Sequence, residues 1–326
     1  MARPTVYITR KLPKAALEII AAELDYRMWE AEGEVVPREV LLREIAEVDG
    51  VLTMLTDRVD QEFLDAARRC KVVANCAVGY DNINVPLLTS RGVLATNTPG
   101  VLTETTADLA FALMMASARR IVEGQDLIRA GQWKTWSLMS MTGQDIYGAT
   151  LGVVGPGRIG SAVIRRAKGF NMNALYTSRN RWPELEAETG ARYLPLDDLL
   201  RQSDFIVVLV PLNDQTRGMF GAREFALMKE TAVFVNASRG AVVNEQALYD
   251  ALKAGRPWAA GLDVFEKEPI GPDHPLLTLP NVTAVPHIGS ASVATRMNMA
   301  KLAAANLAAA LTGRRPPAPI NPEVLG

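Results

Sequence analysis

Short apolar runs alternate with amphipathic stretches along most of this 326-residue chain. Residues 5–9, 50–54, 71–74 and 93–96 have the length and apolar content of buried strands. Between them, residues 13–24, 38–46 and 60–69 carry apolar side chains at three- and four-residue steps, as helices with one buried face do. This β-α-β-α order predicts a parallel, doubly wound sheet. Thr98-Pro99-Gly100 breaks the pattern, and residues 107–121 follow as a helix apolar nearly all round, which predicts burial. A second alternating series begins at Thr150, with strands at 150–154, 173–177, 205–210, 232–236, 259–264 and 282–285. After Gly289 an Ala-rich helix spans 293–311, closed by Gly313 with Pro316 and Pro317 beyond it. The pattern predicts two α/β domains. Residues 1–100 and 290–326 make one, and residues 101–289 are inserted as the other.

The totals sharpen this picture by exclusion. The length suits about two domains, and 48% hydrophobic with 22% charged residues allows a large core. A net charge of -1 lacks the basic footprint that a nucleic-acid partner requires. Cys70 and Cys76 cannot build a disulfide framework, and the five residues between them do not match a usual zinc spacing. A reducing compartment and no metal site are therefore expected. The N-terminus reads as a short strand followed by Arg10 and Lys11, unlike a signal core. The longest apolar stretch, 107–118, contains Asp108 and is too short for a bilayer. The expectation is a cytoplasmic protein without a membrane partner.

Gly155-Pro156-Gly157-Arg158-Ile159-Gly160 is a G-x-G-x-x-G that follows a strand and opens a helix. In such a loop the first glycine permits the turn and the second lets backbone approach a pyrophosphate. The third packs helix against strand, and the helix N-terminus offers free N–H groups and partial positive charge. Alone the motif is weak; within a continuing β-α series it predicts a dinucleotide site. At the end of the next strand, NAD-binding sites carry an acid for the ribose hydroxyls. Here Ser178 stands in that place, followed by Arg179 and Arg181. A carboxylate would repel a 2′-phosphate, whereas a hydroxyl and a guanidinium can bind one. This favours NADP(H), with NAD(H) also admitted.

Of two histidines, His287 lies just after the last strand of the series, near a strand's carboxyl end where open α/β sheets bind ligands. Arg239 and the Asp263–Glu266–Glu268 cluster follow earlier strands of the same series. A cation, a carboxylate and an imidazole at neighbouring strand ends can converge on one crevice. His274, in Asp273-His274-Pro275, reads as a surface-loop residue.

Nearly the whole chain resembles the D-2-hydroxyacid dehydrogenase family, in its glyoxylate/hydroxypyruvate reductase branch. The resemblance is carried by Val78-Gly79-Tyr80-Asp81-Asn82, Gly155 to Gly160, Asn236 to Gly240, Ala260 to Val264, Glu268-Pro269 and Pro286 to Ala291. It implies a Rossmann nucleotide-binding domain inserted into a flavodoxin-like substrate-binding domain, and a homodimer. It also implies reduction of a small 2-keto acid to a D-2-hydroxy acid. In that reaction His287 would be the general acid and Glu268 would orient its ring. Arg239 would bind the substrate carboxylate and polarise the C2 carbonyl. The N–H groups of Val78 and Gly79 would take the other side of the carboxylate, with Leu55 and Ser290 lining the substrate. Asp263 would face the nicotinamide carboxamide. Thr106, Arg158, Ile159, Pro211, Thr216 and Ala237 would contact the cofactor.

One position departs from the branch. Where its members carry a tryptophan in the loop before the nucleotide domain, this chain has Ser140, between Met139 and Met141. That loss should enlarge or soften the pocket. Phosphite dehydrogenase shares the Arg-Glu-His set but carries a lysine where this chain has Val78. Dehydrogenase-like co-repressors, which act as NADH-sensing binding modules, would be expected to keep the ribose acid that Ser178 replaces.

Overall fold

The computed structural model describes residues 3–326. The chain divides into two compact units, Met1–Leu102 with Ala291–Gly326, and Thr103–Ser290.

The first unit is built on five parallel strands, β1 (Thr5–Ile8), β2 (Asp25–Met28), β3 (Gly50–Thr53), β4 (Val72–Asn75) and β5 (Leu94–Thr96), in the order β2-β1-β3-β4-β5. This is the flavodoxin-like order, with its switch point between β1 and β3. Every residue of β3 and β4 is buried, which is why both read as unbroken runs rather than alternating ones. β2 was absent from the pattern because it is an edge strand whose first three residues are exposed. Its four residues, Asp-Tyr-Arg-Met, alternate polar and apolar over too short a stretch to stand out. A short helix, Val85–Ser90, was also missed; Asn84 caps it by accepting from Leu87 N–H at 3.2 Å.

The helix Val293–Leu311 forms where the alanines predict it, capped by Ser292. Its Ala300, Ala303, Ala304, Leu307 and Ala308 join Val6, Ile20 and Val72 in one core. Burying Leu307 alone stabilises the unit by about 1.5–3 kcal/mol. Small side chains let this helix lie close to the sheet.

The second unit holds seven parallel strands: β6 (Thr150–Val154), β7 (Asn173–Thr177), β8 (Arg192–Tyr193), β9 (Phe205–Val208), β10 (Val233–Asn236), β11 (Ala259–Leu262) and β12 (Val282–Ala284). They run in the order β12-β11-β10-β9-β6-β7-β8, the Rossmann arrangement of two halves meeting at β6 and β9. Six were expected; the seventh, β8, pairs only two residues with β7 and is too short to show a period. The helix expected over 107–121 runs from Thr103 to Ala118. It ends because Arg120 takes a left-handed conformation, φ 52°, and a separate helix, Ile121–Arg129, follows. Ala107, Ala110, Phe111, Leu113 and Met114 are buried against the helix Arg158–Ala167 and the sheet. Among the described residues, no helix is long and apolar enough to cross a membrane.

Candidate active site

The phosphate-type loop lies between β6 and the ten-residue helix Arg158–Ala167. Gly155 has φ +94°, a value that side chains resist, and a Cβ there would meet the Leu209 backbone at 3.0 Å. A Cβ at Gly160 would lie 2.2 Å from Gly155 O, so that position sets the contact between helix and loop. Gly157 is exposed, and a Cβ on it would enter open space. The first turn of the helix holds no acidic residue, and Arg158 and Ile159 follow Gly157. Free N–H groups, helix polarity and room beside Gly157 fit a dinucleotide's pyrophosphate.

Past β7, the Ser178 hydroxyl donates to Asn180 O at 2.5 Å. Arg181 is held by Glu186 through two bonds, at 2.6 and 3.1 Å, and the Tyr176 hydroxyl donates to the same carboxylate at 2.5 Å. These bonds hold the Glu186 carboxyl below its ordinary range. Arg179 is exposed, without a side-chain partner among the described residues. The two arginines of this turn are therefore not equivalent. Past β9, Thr216 donates to Pro211 O at 2.6 Å and closes a surface turn. Ala237 is buried after β10.

Three neighbouring strand ends carry the ionisable groups. After β12, His287 Nδ1 lies 2.7 Å from Glu268 Oε2. Glu268 Oε1 accepts from Phe265 N–H at 2.9 Å. Burial works against the Glu268 charge, but the His287 and Phe265 bonds and the charges of His287 and Arg239 outweigh it. Its carboxyl is brought below the usual range. Spacing could not separate Glu266 from Glu268; the contact belongs to Glu268, while Glu266 N–H donates to Glu245 at 2.6 Å. Arg239 leaves β10 in a turn braced by Asn236, whose side chain donates to Arg239 O at 3.0 Å. The Arg239 guanidinium donates to Ser238 O at 2.8 Å.

Two features of this cluster gave no sequence signal. Asp263, 2% exposed, accepts from Ile288 N–H at 2.6 Å and from Gly289 N–H at 2.9 Å. Its backbone carbonyl also accepts from His287 N–H at 2.9 Å. The acid expected to face a nicotinamide thus anchors the turn in which His287 takes φ 51°. Burial pushes its carboxyl up despite those two bonds. Gly240 lies so close to the Glu268 turn that a Cβ would fall 1.8 Å from the Phe265 carbonyl carbon. Thr106 is buried beside Gly289, and Ser290 is half-buried just beyond it.

His274 is not the surface residue that its loop suggests. Its side chain is 18% exposed, stacks edge-on against Phe265 and lies 3.4 Å from Glu245. Prolines and an acid on either side mimic a solvated loop, yet the ring packs against Phe265.

In the first unit, Leu55 lies past β3 and Val78 and Gly79 past β4, at the ligand end of that sheet. Burial pushes the thiols of Cys70 and Cys76 up to about 12, which makes poor nucleophiles of both. No group of side chains suited to hold a metal ion occurs among the described residues.

Residues 111–289 match the family described as D-isomer specific 2-hydroxyacid dehydrogenase, NAD binding domain. A glyoxylate reductase of Thermococcus onnurineus is 49% identical over 327 residues, covering 99% of this chain and 97% of the relative. Among solved structures, the TT0316 protein of Thermus thermophilus superposes with a TM-score of 0.91 at 40% identity, covering 97% of this chain and 99% of that one. An NADPH-dependent glyoxylate/hydroxypyruvate reductase of Sinorhizobium meliloti, solved with NADP and malonate, gives 0.86 at 32% identity, covering 98% and 97%.

Proposed function

The chain belongs to the D-isomer specific 2-hydroxyacid dehydrogenases, and from that premise we propose that it reduces short 2-keto acids of the glyoxylate and hydroxypyruvate type with NADP(H) in preference to NAD(H). It is an NAD(P)-dependent oxidoreductase. The observation that carries the reading is the 2.7 Å pair of His287 and Glu268, at strand ends beside that of Arg239 in a dinucleotide-binding sheet.

When bound, the reduced nicotinamide supplies the hydride to C2 of the keto acid. Glu268 occupies Nδ1 of His287, so Nε2 is the nitrogen left to give its proton to the C2 oxygen. Arg239 binds the substrate carboxylate and stabilises charge developing on that oxygen. The N–H groups of Val78 and Gly79 bind the carboxylate, and Leu55 and Ser290 line the rest. Products with a new stereocentre are D-2-hydroxy acids. In the cofactor site, Gly155, Gly157, Arg158, Ile159 and Gly160 take the pyrophosphate, with Thr106, Pro211, Thr216, Ala237 and Asp263 along its length.

Ser178 and Arg179 support the choice of NADP(H). Arg179 carries most of that weight, because Glu186 engages Arg181 and Asn180 engages the Ser178 hydroxyl. With glyoxylate, kcat/KM is expected to be about tenfold or more higher for NADPH than NADH, one charge-assisted contact's worth. Ser178→Asp should reverse that ranking; equal use of both cofactors by the unaltered protein would refute it.

The protein is further proposed to act as a cytoplasmic homodimer. Trp133, Trp136, Leu138 and Met139, in the segment holding Ser140, are each more than 60% exposed, as 62%, 74%, 77% and 73%. So dense a run of exposed apolar residues suits a subunit interface. Light scattering on Leu138→Asp should then report monomers.

A further inference from the structure

The turn after β4 presents two consecutive backbone donors. Val78 and Gly79 are both half-buried, and among the described residues neither N–H has an intramolecular acceptor. Two consecutive N–H groups without a protein acceptor at one turn are free to bind an anion.

Their carbonyls, by contrast, are all taken. Ala77 O accepts from Thr98 N–H at 2.9 Å. Val78 O accepts from the Asn97 side-chain amide at 2.8 Å. Gly79 O accepts from the Asn75 side-chain amide at 3.0 Å. A trans peptide points its C=O and N–H in opposite directions. The Thr98 bond therefore turns the Val78 N–H away from residue 98, and the Asn97 bond turns the Gly79 N–H away from residue 97.

Asn97 is itself held at its backbone. Its N–H donates to Ala318 O at 3.2 Å, and its carbonyl accepts from the Asn306 side chain at 2.9 Å. Asn306 also accepts from Ala318 N–H at 2.9 Å, and it is wholly buried in the helix Val293–Leu311. An asparagine inside an Ala-rich helix lowers helix propensity and must be satisfied where it is buried. Here its Nδ2 donates to Asn97 O, and its Oδ1 accepts from Ala318, the residue whose carbonyl takes the Asn97 N–H.

Resting on the reading in which the Val78 and Gly79 N–H groups take the substrate carboxylate, we infer that Asn97, seated by Asn306, is a positioning residue for that carboxylate. Its amide fixes the Val78–Gly79 peptide with the Gly79 N–H turned toward the anion. Only a donor can do this. An isosteric carboxylate in its place would repel Val78 O and release or flip the peptide. Because the substrate carboxylate persists unchanged through the reaction, losing this contact weakens substrate and transition state alike and falls on KM rather than kcat.

The test is steady-state kinetics of Asn97→Asp with glyoxylate, joined to oxalate inhibition and to the ¹⁵N–¹H signal of Gly79 in the unaltered protein. KM for glyoxylate should rise about tenfold or more while kcat moves less than about threefold. Oxalate inhibition should weaken in parallel, and the KM for NADPH should not change. A merely structural role would lower the urea midpoint and leave the glyoxylate KM of the folded protein unchanged. If Asn97→Asp does not fold, Asn97→Ala should show the same KM shift in smaller measure, because it removes the donor to Val78 O without setting a carboxylate against it. A glyoxylate KM within about twofold of the original in the folded variant overturns the inference when oxalate shifts the Gly79 signal. If oxalate leaves that signal unmoved, the underlying carboxylate reading falls instead.

Discussion

The two sheets share one architecture but present different chemistry at their carboxyl ends. The seven-stranded sheet ends in charge, with Arg239 after β10, Asp263 and Glu268 after β11, and His287 after β12. The five-stranded sheet ends in backbone N–H groups braced by the neutral amides of Asn75 and Asn97. Charged groups move protons and bind anions strongly, but each must be held and partly desolvated to be useful. Backbone donors cannot titrate, so their only requirement is orientation. One end is suited to chemistry and the other to holding an unreactive carboxylate.

That contrast can be broken by degrees. Arg239→Gln removes the cation from the charged end, and kcat/KM for glyoxylate should fall about a thousandfold, as for loss of a charge-assisted bidentate contact. Steady-state rates would show it, and a loss confined to KM would mean that Arg239 acts only in binding. Gly240→Ala should destabilise the protein by about 3 kcal/mol in urea melts, since its Cβ would overlap the Phe265 carbonyl carbon. An unchanged midpoint would mean that the Arg239 and Glu268 turns can part freely.

Asp263→Asn should cost less, about 1–2 kcal/mol in the same melts, because an amide can satisfy only one of the two N–H groups that Asp263 accepts from. Its kcat should fall together with this loss as the His287 turn loosens. A stability loss without a rate loss would separate the anchor from the catalytic group. The smallest effect is on pH dependence. Since the folded Glu268 carboxyl lies below its ordinary value, the unfolded chain binds more protons between the two values. Its contribution is present above the unfolded value and is lost as pH falls through the folded one. Glu268→Gln should flatten the stability–pH curve in that acid window, and a superimposable curve would contradict the pairing.

The charged end was legible in the sequence because its chemistry needs rare residue types at recognisable places. Two histidines in the chain and one glycine-rich loop left few choices. Periodicity supplied ten of the strands because most of their apolar runs are buried on both faces. It missed β2 and β8, an exposed edge and a two-residue pair. The neutral end was harder to read. Any residue can supply an N–H, so Val78 and Gly79 stood out only through family resemblance, and Asn97 gave no signal. Nor did spacing show that Asp263 turns back onto the segment bearing His287, or that Gly240 meets the Phe265 backbone. Those depend on which strand ends become neighbours, and strand order is a property of the folded sheet.

The central claim is hydride transfer to a 2-keto acid with His287 as the proton source. It is tested most directly by single-turnover absorbance of NADPH mixed with glyoxylate, comparing the unaltered protein with His287→Asn. The unaltered protein should consume NADPH, and the variant should bind it with similar affinity while reacting about a hundredfold or more slowly. Equal rates in the two proteins, or no NADPH consumption by the unaltered one with any short 2-keto acid, would contradict the account.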